Sequence, residues 1–261
     1  MNRLRQNTLP PLVAGGCALL IWYGIRWTTH LGPFLLPLPH EILEAAWRER
    51  HTLAEATAFT FAAAFLGFVA AAGIGFLLSL FLSWSVAFRR ALMPFVLALQ
   101  MTPVIILTPF LVLWMRQGLA PVVTITFIIC FFPVVANTTF GFTAVDRNLV
   151  DLFQVCGASR FDELLRLRVP SALPHYLTAL RIAASLAPIG AVTGDFLAGS
   201  AENSIGGLGF MTITYFAEAK TAELLAAGLT ACLMGFIFVG GVHLLHWWAL
   251  HAWHDSARRA E

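Results

Sequence analysis

Six long intervals of this chain pass with almost no Asp, Glu, Lys or Arg, and that spacing limits the fold more than any other feature. A helix needs about 20 mostly apolar residues to cross some ~30 Å of hydrocarbon. The intervals 9–27, 57–82, 91–115, 119–143, 171–197 and 224–248 meet that length, the fifth despite the charges of Arg181 and Asp195. A water-soluble fold fails on composition. Of 261 residues, 59% are hydrophobic and 11% charged, against about 45–50% and about 25% in an ordinary soluble domain. The surplus apolar surface needs an apolar solvent, which a bilayer supplies. The expected fold is all-α: a polytopic membrane protein of about six transmembrane helices, with residues 1–261 in one domain.

The arginines orient the helices, because Lys and Arg collect in short cytoplasmic loops near the ends of spans. One set of alternate loops, with both termini, holds Arg3, Arg5, Arg89, Arg90, Arg147, Arg160, Arg166, Arg168, Arg258 and Arg259. The opposite set holds Arg26, Arg48, Arg50, Arg116 and Lys220. Ten against five places the N and C termini in the cytoplasm and requires an even number of spans. Arg3 and Arg5 ahead of an apolar stretch also look like a signal peptide, but no small-x-small cleavage pattern comes after it, so 9–27 reads as a retained helix. A net charge of +2, dispersed between apolar runs, offers no tract for nucleic acid. Cys17, Cys130, Cys156 and Cys232 are too scattered for a disulfide framework or metal-ligand spacing. On the outer side, 36–55 reads as an amphipathic helix opened by Pro37 and Pro39, either interfacial or a plain connector.

Within the spans, Ala63, Gly67, Ala71 and Gly75 recur every four residues and form a small-residue stripe that lets another helix approach closely. Prolines 94, 103, 109, 121, 133 and 188 kink or break the third, fourth and fifth spans. Arg181 and Asp195 are candidate pathway or intramembrane polar residues. Fourteen positions apart, they cannot pair along one straight helix. Arg181 also reads as snorkelling toward the cytoplasmic interface, and Asp195 as a helix-end residue just inside the outer headgroups. His243, His246, His251 and His254 share an arc of the last helix, but Trp247, Trp248 and Trp253 between them favour an interfacial aromatic belt over a metal site.

The longest cytoplasmic stretch, 145–170, does not look like a solvated linker. Leu152, Val155 and Cys156 form an apolar face before Gly157, and Phe161, Leu164 and Leu165 form another after it, flanked by Arg160, Arg166 and Arg168. Two short amphipathic helices bent at Gly157 are predicted, either lying on anionic headgroups or docking on a partner.

The spacing in this stretch resembles the coupling loop of ATP-binding-cassette importer permeases, in which Glu-Ala-Ala, three residues, Gly and nine residues precede Ile-x-Leu-Pro. Here Gly157 is followed nine residues on by Leu167-Arg168-Val169-Pro170 and then by Ser-Ala-Leu-Pro. Asp151, Leu152 and Phe153 replace Glu-Ala-Ala, keeping the acid and losing both alanines. The likeness extends to TPVIILTPFLVLW, FFPVVANTTFGF, LTALRIAASLAPIGAV and the GGLGFM run at 206–211, and so covers most of the chain. It is similar to the nitrate, sulfonate and taurine class of binding-protein-dependent permeases.

That resemblance implies a homodimer in the cell inner membrane. Its partners would be a cytoplasmic ATP-binding-cassette ATPase and a periplasmic or lipid-anchored solute-binding protein. It assigns ATPase coupling to Asp151, Gly157, Ala158, Ser159, Arg160, Phe161, Leu164, Leu165 and Pro170. No Gly-x-x-x-x-Gly-Lys-Ser/Thr run is present and Lys220 is the single lysine. The chain is therefore expected to be non-catalytic, with no cofactor of its own and with ATP and Mg on the partner ATPase. Relatives carry sulfonates, nitrate, taurine and pyrimidine or thiamine precursors; the scarcity of charge in the spans leans toward a small organic solute. The rival reading is an ion-gradient-driven secondary transporter using Arg181 and Asp195 as a relay, but the chain is short for that class and shows no inverted repeat. A membrane enzyme would need a clustered acid–base or nucleophile constellation, and none stands out.

Overall fold

The computed structural model describes residues 2–29, 32, 34–199 and 206–251. Trp253, His254, Arg258 and Arg259 lie outside the described residues. In hydrocarbon a backbone must satisfy its own N–H and C=O groups, so the apolar runs become helices. In chain order they are α1 (Asn2–Thr29), α2 (Pro39–Arg48), α3 (Arg50–Trp84), α4 (Val86–Met101), α5 (Val104–Met115), α6 (Leu119–Thr143), α7 (Arg147–Val155), α8 (Arg160–Glu163), α9 (Val169–Ala198), α10 (Leu208–Ala217) and α11 (Thr221–His251). Among the described residues, four helical stretches are long and apolar enough to cross a membrane: Arg50–Trp84, Leu119–Thr143, Arg160–Ala198 and Thr221–Leu245. The first interval of the sequence lies within α1.

The interval 91–115 is divided, contrary to the expectation of one span. Thr102 and Pro103 leave the helix between α4 and α5, with Pro103 in extended backbone. Proline has no N–H to continue the ladder and pushes the preceding residue out of helical geometry. Pro94, Pro109, Pro133 and Pro188 stay inside helices.

The core is built around α6, which packs against α3 on one side and α9 on the other. Small residues make that approach possible. Ala63, Gly67, Ala71 and Gly75 of α3 are all buried, and a Cβ added at Gly67 would sit 2.6 Å from Thr126 Cβ, one at Gly75 2.7 Å from Val134 Cγ1. Thr126 is also met from α9, where a Cβ at Gly190 would lie 3.2 Å from its Cα. A side chain at Gly67 would force these helices apart, an overpacking worth about 1–3 kcal/mol. Gly67→Val is therefore expected to lower the melting temperature in detergent. Gly73→Val, one face away where nothing lies within 4 Å, is expected to leave it unchanged.

A second core forms at the end of the bundle that holds α2 and α10. The segment 36–55 is not a plain connector. Its helix α2 buries Ile42 and Ala45 in a cluster with Leu208, Met211, Tyr215 and Met234, while Arg50 already begins α3.

Candidate functional site

Three features hold the residues singled out in the sequence: the α7–α8 loop at one end of the bundle, a carboxylate clamp on α10 at the other, and an exposed face of α9 joining them.

The loop is a stop followed at once by a start. Asp146 caps α7 by accepting from Asn148 N at 2.9 Å. Gly157 ends the helix at φ +74°, a left-handed conformation that favours glycine. Its N–H donates to Gln154 O at 3.0 Å, and Ala158 N–H donates to Phe153 O at 3.0 Å, the paired bonds that close a helix terminus around a left-handed residue. Two residues later Ser159 opens α8. Its hydroxyl accepts from Asp162 N at 3.1 Å while Ser159 N–H donates to Asp162 Oδ2 at 3.3 Å. The Ser159 hydroxyl holds the Asp162 carboxyl below its ordinary range against the opposing effect of desolvation. The cap is thus complete at neutral pH and weakens only as pH falls through that lowered value.

The apolar side chains of this loop face outward. Val155 is 85% exposed and Phe161 59%, with Leu152 and Leu165 about half exposed beside them. Asp151 and Cys156 share that open surface. A pocket of about 220 Å³ opens next to it, lined by Ser83, Trp84, Gln154, Arg160, Glu163, Leu164 and Arg168. Arg160 makes no ion pair among the described residues.

Two expectations for the loop need correction. Leu164, assigned to the outer face with Phe161 and Leu165, is 5% exposed and turns inward with Leu167. Arg168 is occupied within the protein, bridging Glu163 at 2.6 Å and reaching Phe142 O at 3.4 Å. The pairing of Arg168 with Glu163, five residues before it, goes with a π-helical turn over Leu164–Arg168, in which Val169 N–H donates to Leu164 O. Pro170 has no N–H and crowds the carbonyl four residues before it, and the wider turn just ahead accommodates it. The consequence is that α8 is not a separate short helix. Residues 160–198 run as one helical stretch into the membrane.

At the far end of that stretch, three residues before α9 ends, Asp195 is fully buried within the protein. Its Oδ1 accepts from Gly207 N at 3.1 Å and its Oδ2 from Phe210 N at 3.0 Å. Thr60 of α3 takes a third amide, Leu208 N, at 2.9 Å. These are the orphan donors of the first turn of α10, which carries the positive end of the helix dipole. The Gly-Gly-Leu-Gly run permits the approach. A Cβ at Gly206 would strike Phe210, one at Gly207 the Asp195 carboxylate, and one at Gly209 the backbone of α9.

Arg181 occupies a different face. It is exposed, as are Thr178, Ser185 and Thr193 on the same side of α9. Ser185 stands one turn from Arg181 and its hydroxyl donates to Arg181 O at 3.3 Å. A groove of about 610 Å³ continues from there between α9 and α11, lined by Ser185, Ile189, Val192 and Thr193 opposite Cys232, Gly235, Phe236 and Val239. Arg181 and Asp195 are thus separated both in depth and in direction. Among the described residues no group of three or more His, Cys, Asp or Glu side chains is placed to hold a metal ion.

Residues 63–249 match the family model for the binding-protein-dependent transport system inner membrane component. The chain belongs to this family of ABC importer permeases. The permease is 32% identical over 224 residues to a probable ABC transporter permease protein of Haemophilus influenzae, covering 86% of this chain and 89% of the other. It is 38% identical over 170 residues to the formylaminopyrimidine transport permease protein ThiX of Halalkalibacterium halodurans, covering 63% and 66%. With the taurine transport system permease protein TauC of Escherichia coli it shares 25% identity over 247 residues, covering 92% and 88%. A chain of the MetNI methionine ABC transporter, solved in an inward-facing conformation, superposes with a TM-score of 0.56 at 19% identity, covering 83% of the permease and 97% of that chain, which shows a shared fold.

Sequence reasoning missed α10 and its clamp in this permease. The signal was present in the Gly-Gly-Leu-Gly run that leads into the ten apolar-rich residues Leu208–Ala217, too short to span, between two long helices. It also missed Thr60, a hydroxyl in an apolar helix that looks ordinary until Leu208 N–H is seen to need it.

Proposed function

We propose that the permease works as a homodimer in the cell inner membrane. The exposed face of α9 walls the pathway of a small solute, and the loop around Gly157 docks on a separate cytoplasmic ATPase. The observation that carries this reading is the outward set of Leu152, Val155, Phe161 and Leu165. Apolar side chains held rigidly toward water, at the end of a bundle, mark an interaction surface. Helix-in-groove docking uses such a face, with cations such as Arg160 meeting acidic rims. Asp151, Gly157, Ala158, Ser159 and Pro170 shape this surface; Phe161 and Leu165 fill the groove. ATP and Mg belong to the ATPase, and an extracytoplasmic binding protein, periplasmic or lipid-anchored, delivers the solute. Closure of the ATPase then moves the helix that bears both loop and pathway.

The names of relatives span formylaminopyrimidine, riboflavin, aliphatic sulfonates, nitrate and taurine, so the solute is a small organic or inorganic molecule of this range. Affinity purification of the tagged permease in mild detergent is expected to bring down a nucleotide-binding ATPase, and uptake in proteoliposomes is expected to require ATP. Recovery of the permease alone, with uptake that tracks an ion gradient and ignores ATP, would overturn the reading in favour of a secondary transporter.

A further inference from the structure

The depth of Arg181 is fixed by a neighbour. Cys130, near the middle of the 25-residue α6, donates its thiol to the carbonyl of Ala183, two residues beyond Arg181. Arg181 therefore lies near mid-depth of the bundle. A guanidinium there is too costly to leave in lipid and too deep to reach headgroups by stretching. Among the described residues it has no ion pair, and the one acid of α9, Asp195, is turned away into the α10 clamp. On α3 the exposed large side chains at this depth are Phe65, Leu66, Val69, Ile74 and Leu77, all apolar. On α9 the exposed Thr178, Arg181, Ser185 and Thr193 share their side with exposed Ile182, Ile189 and Phe196, and the Thr178 and Ser185 hydroxyls bond their own helix, so the guanidinium of Arg181 is the group that calls for a wet pathway.

We infer that Arg181 is a specificity-determining residue: it makes the pathway favour a solute carrying a negative group, a carboxylate, sulfonate or phosphate. The inference rests on the reading that the α9 face walls the pathway. An unneutralised fixed cation beside the pathway attracts an anion and repels a cation, and both effects grow where water is confined. In a homodimer each copy contributes one such group, so the electrostatic free energy behind the preference adds without any further residue.

The test needs no knowledge of the natural solute. In the assembled transporter with Cys17, Cys156 and Cys232 replaced by alanine, Ser185→Cys presents a thiol one turn from Arg181. Its modification by a sulfonate-bearing methanethiosulfonate and by a trimethylammonium-bearing one is followed on the permease by mass spectrometry, each rate divided by that of the same reagent with a free thiol. The normalised rates are expected to favour the sulfonate about tenfold. Arg181→Gln is expected to erase that preference and Arg181→Lys to keep it. Equal rates that Arg181→Gln does not alter would overturn the anion preference and leave the pathway reading standing. Failure of both water-soluble reagents to modify the Ser185→Cys variant would overturn the pathway reading, and the inference with it.

Discussion

Asp195→Ala is expected to destabilise the permease by about 2–5 kcal/mol, the cost of leaving one buried and one partly buried amide without an acceptor. Gly207 N–H and Phe210 N–H each lose their partner, and no water reaches a side chain that is fully buried. Asp195→Asn is the sharper variant. It preserves volume and one oxygen but turns an amide donor toward one of the two N–H groups, so it is expected to fall between wild type and Asp195→Ala. Thr60→Val removes the third acceptor and is expected to cost less, about 1 kcal/mol. Thermal unfolding in detergent and uptake of solute by the assembled importer measure both consequences. A melting temperature for Asp195→Ala equal to that of wild type would show that the carboxylate does not hold α10 and would return Asp195 to the role of an interfacial residue.

Phe161→Asp is expected to abolish recovery of the ATPase while leaving the permease folded and inserted. Phe161 is mostly exposed in the protomer, so its loss removes little from the permease itself. In a docked groove the same change forfeits the burial of an aromatic ring, about 2–3 kcal/mol, and places an unpaired carboxylate there instead. A loss of that size reduces affinity by a factor of thirty or more, on the order of the usual conversion of 1.4 kcal/mol per tenfold. Gly157→Pro attacks the same surface through its backbone: proline cannot adopt φ +74° and lacks the N–H that bonds Gln154 O. Normal co-purification of the ATPase with both variants would remove the loop from any coupling role.

How much of the fold and of the site is legible in the sequence depends on whether the deciding partner is local. The Gly157-Ala158-Ser159 run announces a helix stop and a helix start with residues that satisfy their own backbone neighbours, and the structure places both there. The four-residue recurrence of Ala63, Gly67, Ala71 and Gly75 likewise states its purpose, although only the fold reveals that Thr126 and Val134 are what it admits. Leu164 is misplaced because a helical wheel groups it with Phe161 and Leu165 but does not say which edge of that arc meets the bundle. The partners of Asp195 are hidden for a different reason. Position along a span says how deep a charge lies, not which way it points, and its partners on α10 come twelve to fifteen residues later in a helix that hydropathy alone does not identify as one. Six prolines look equivalent, yet Pro103 separates two helices while four others ride within them.

The unbroken run from Arg160 to Ala198 makes the permease something like a crankshaft. Phe161, Arg181 and Asp195 are fixed to a single rod about 58 Å long at 1.5 Å per residue, the first at one end, the second near the middle and the third close to the other end. A tilt or twist imposed at Phe161 has no slack linker in which to dissipate. Carried through the π turn and past Pro174 and Pro188, it would turn the heading of Arg181 and load the Asp195 grip of α10.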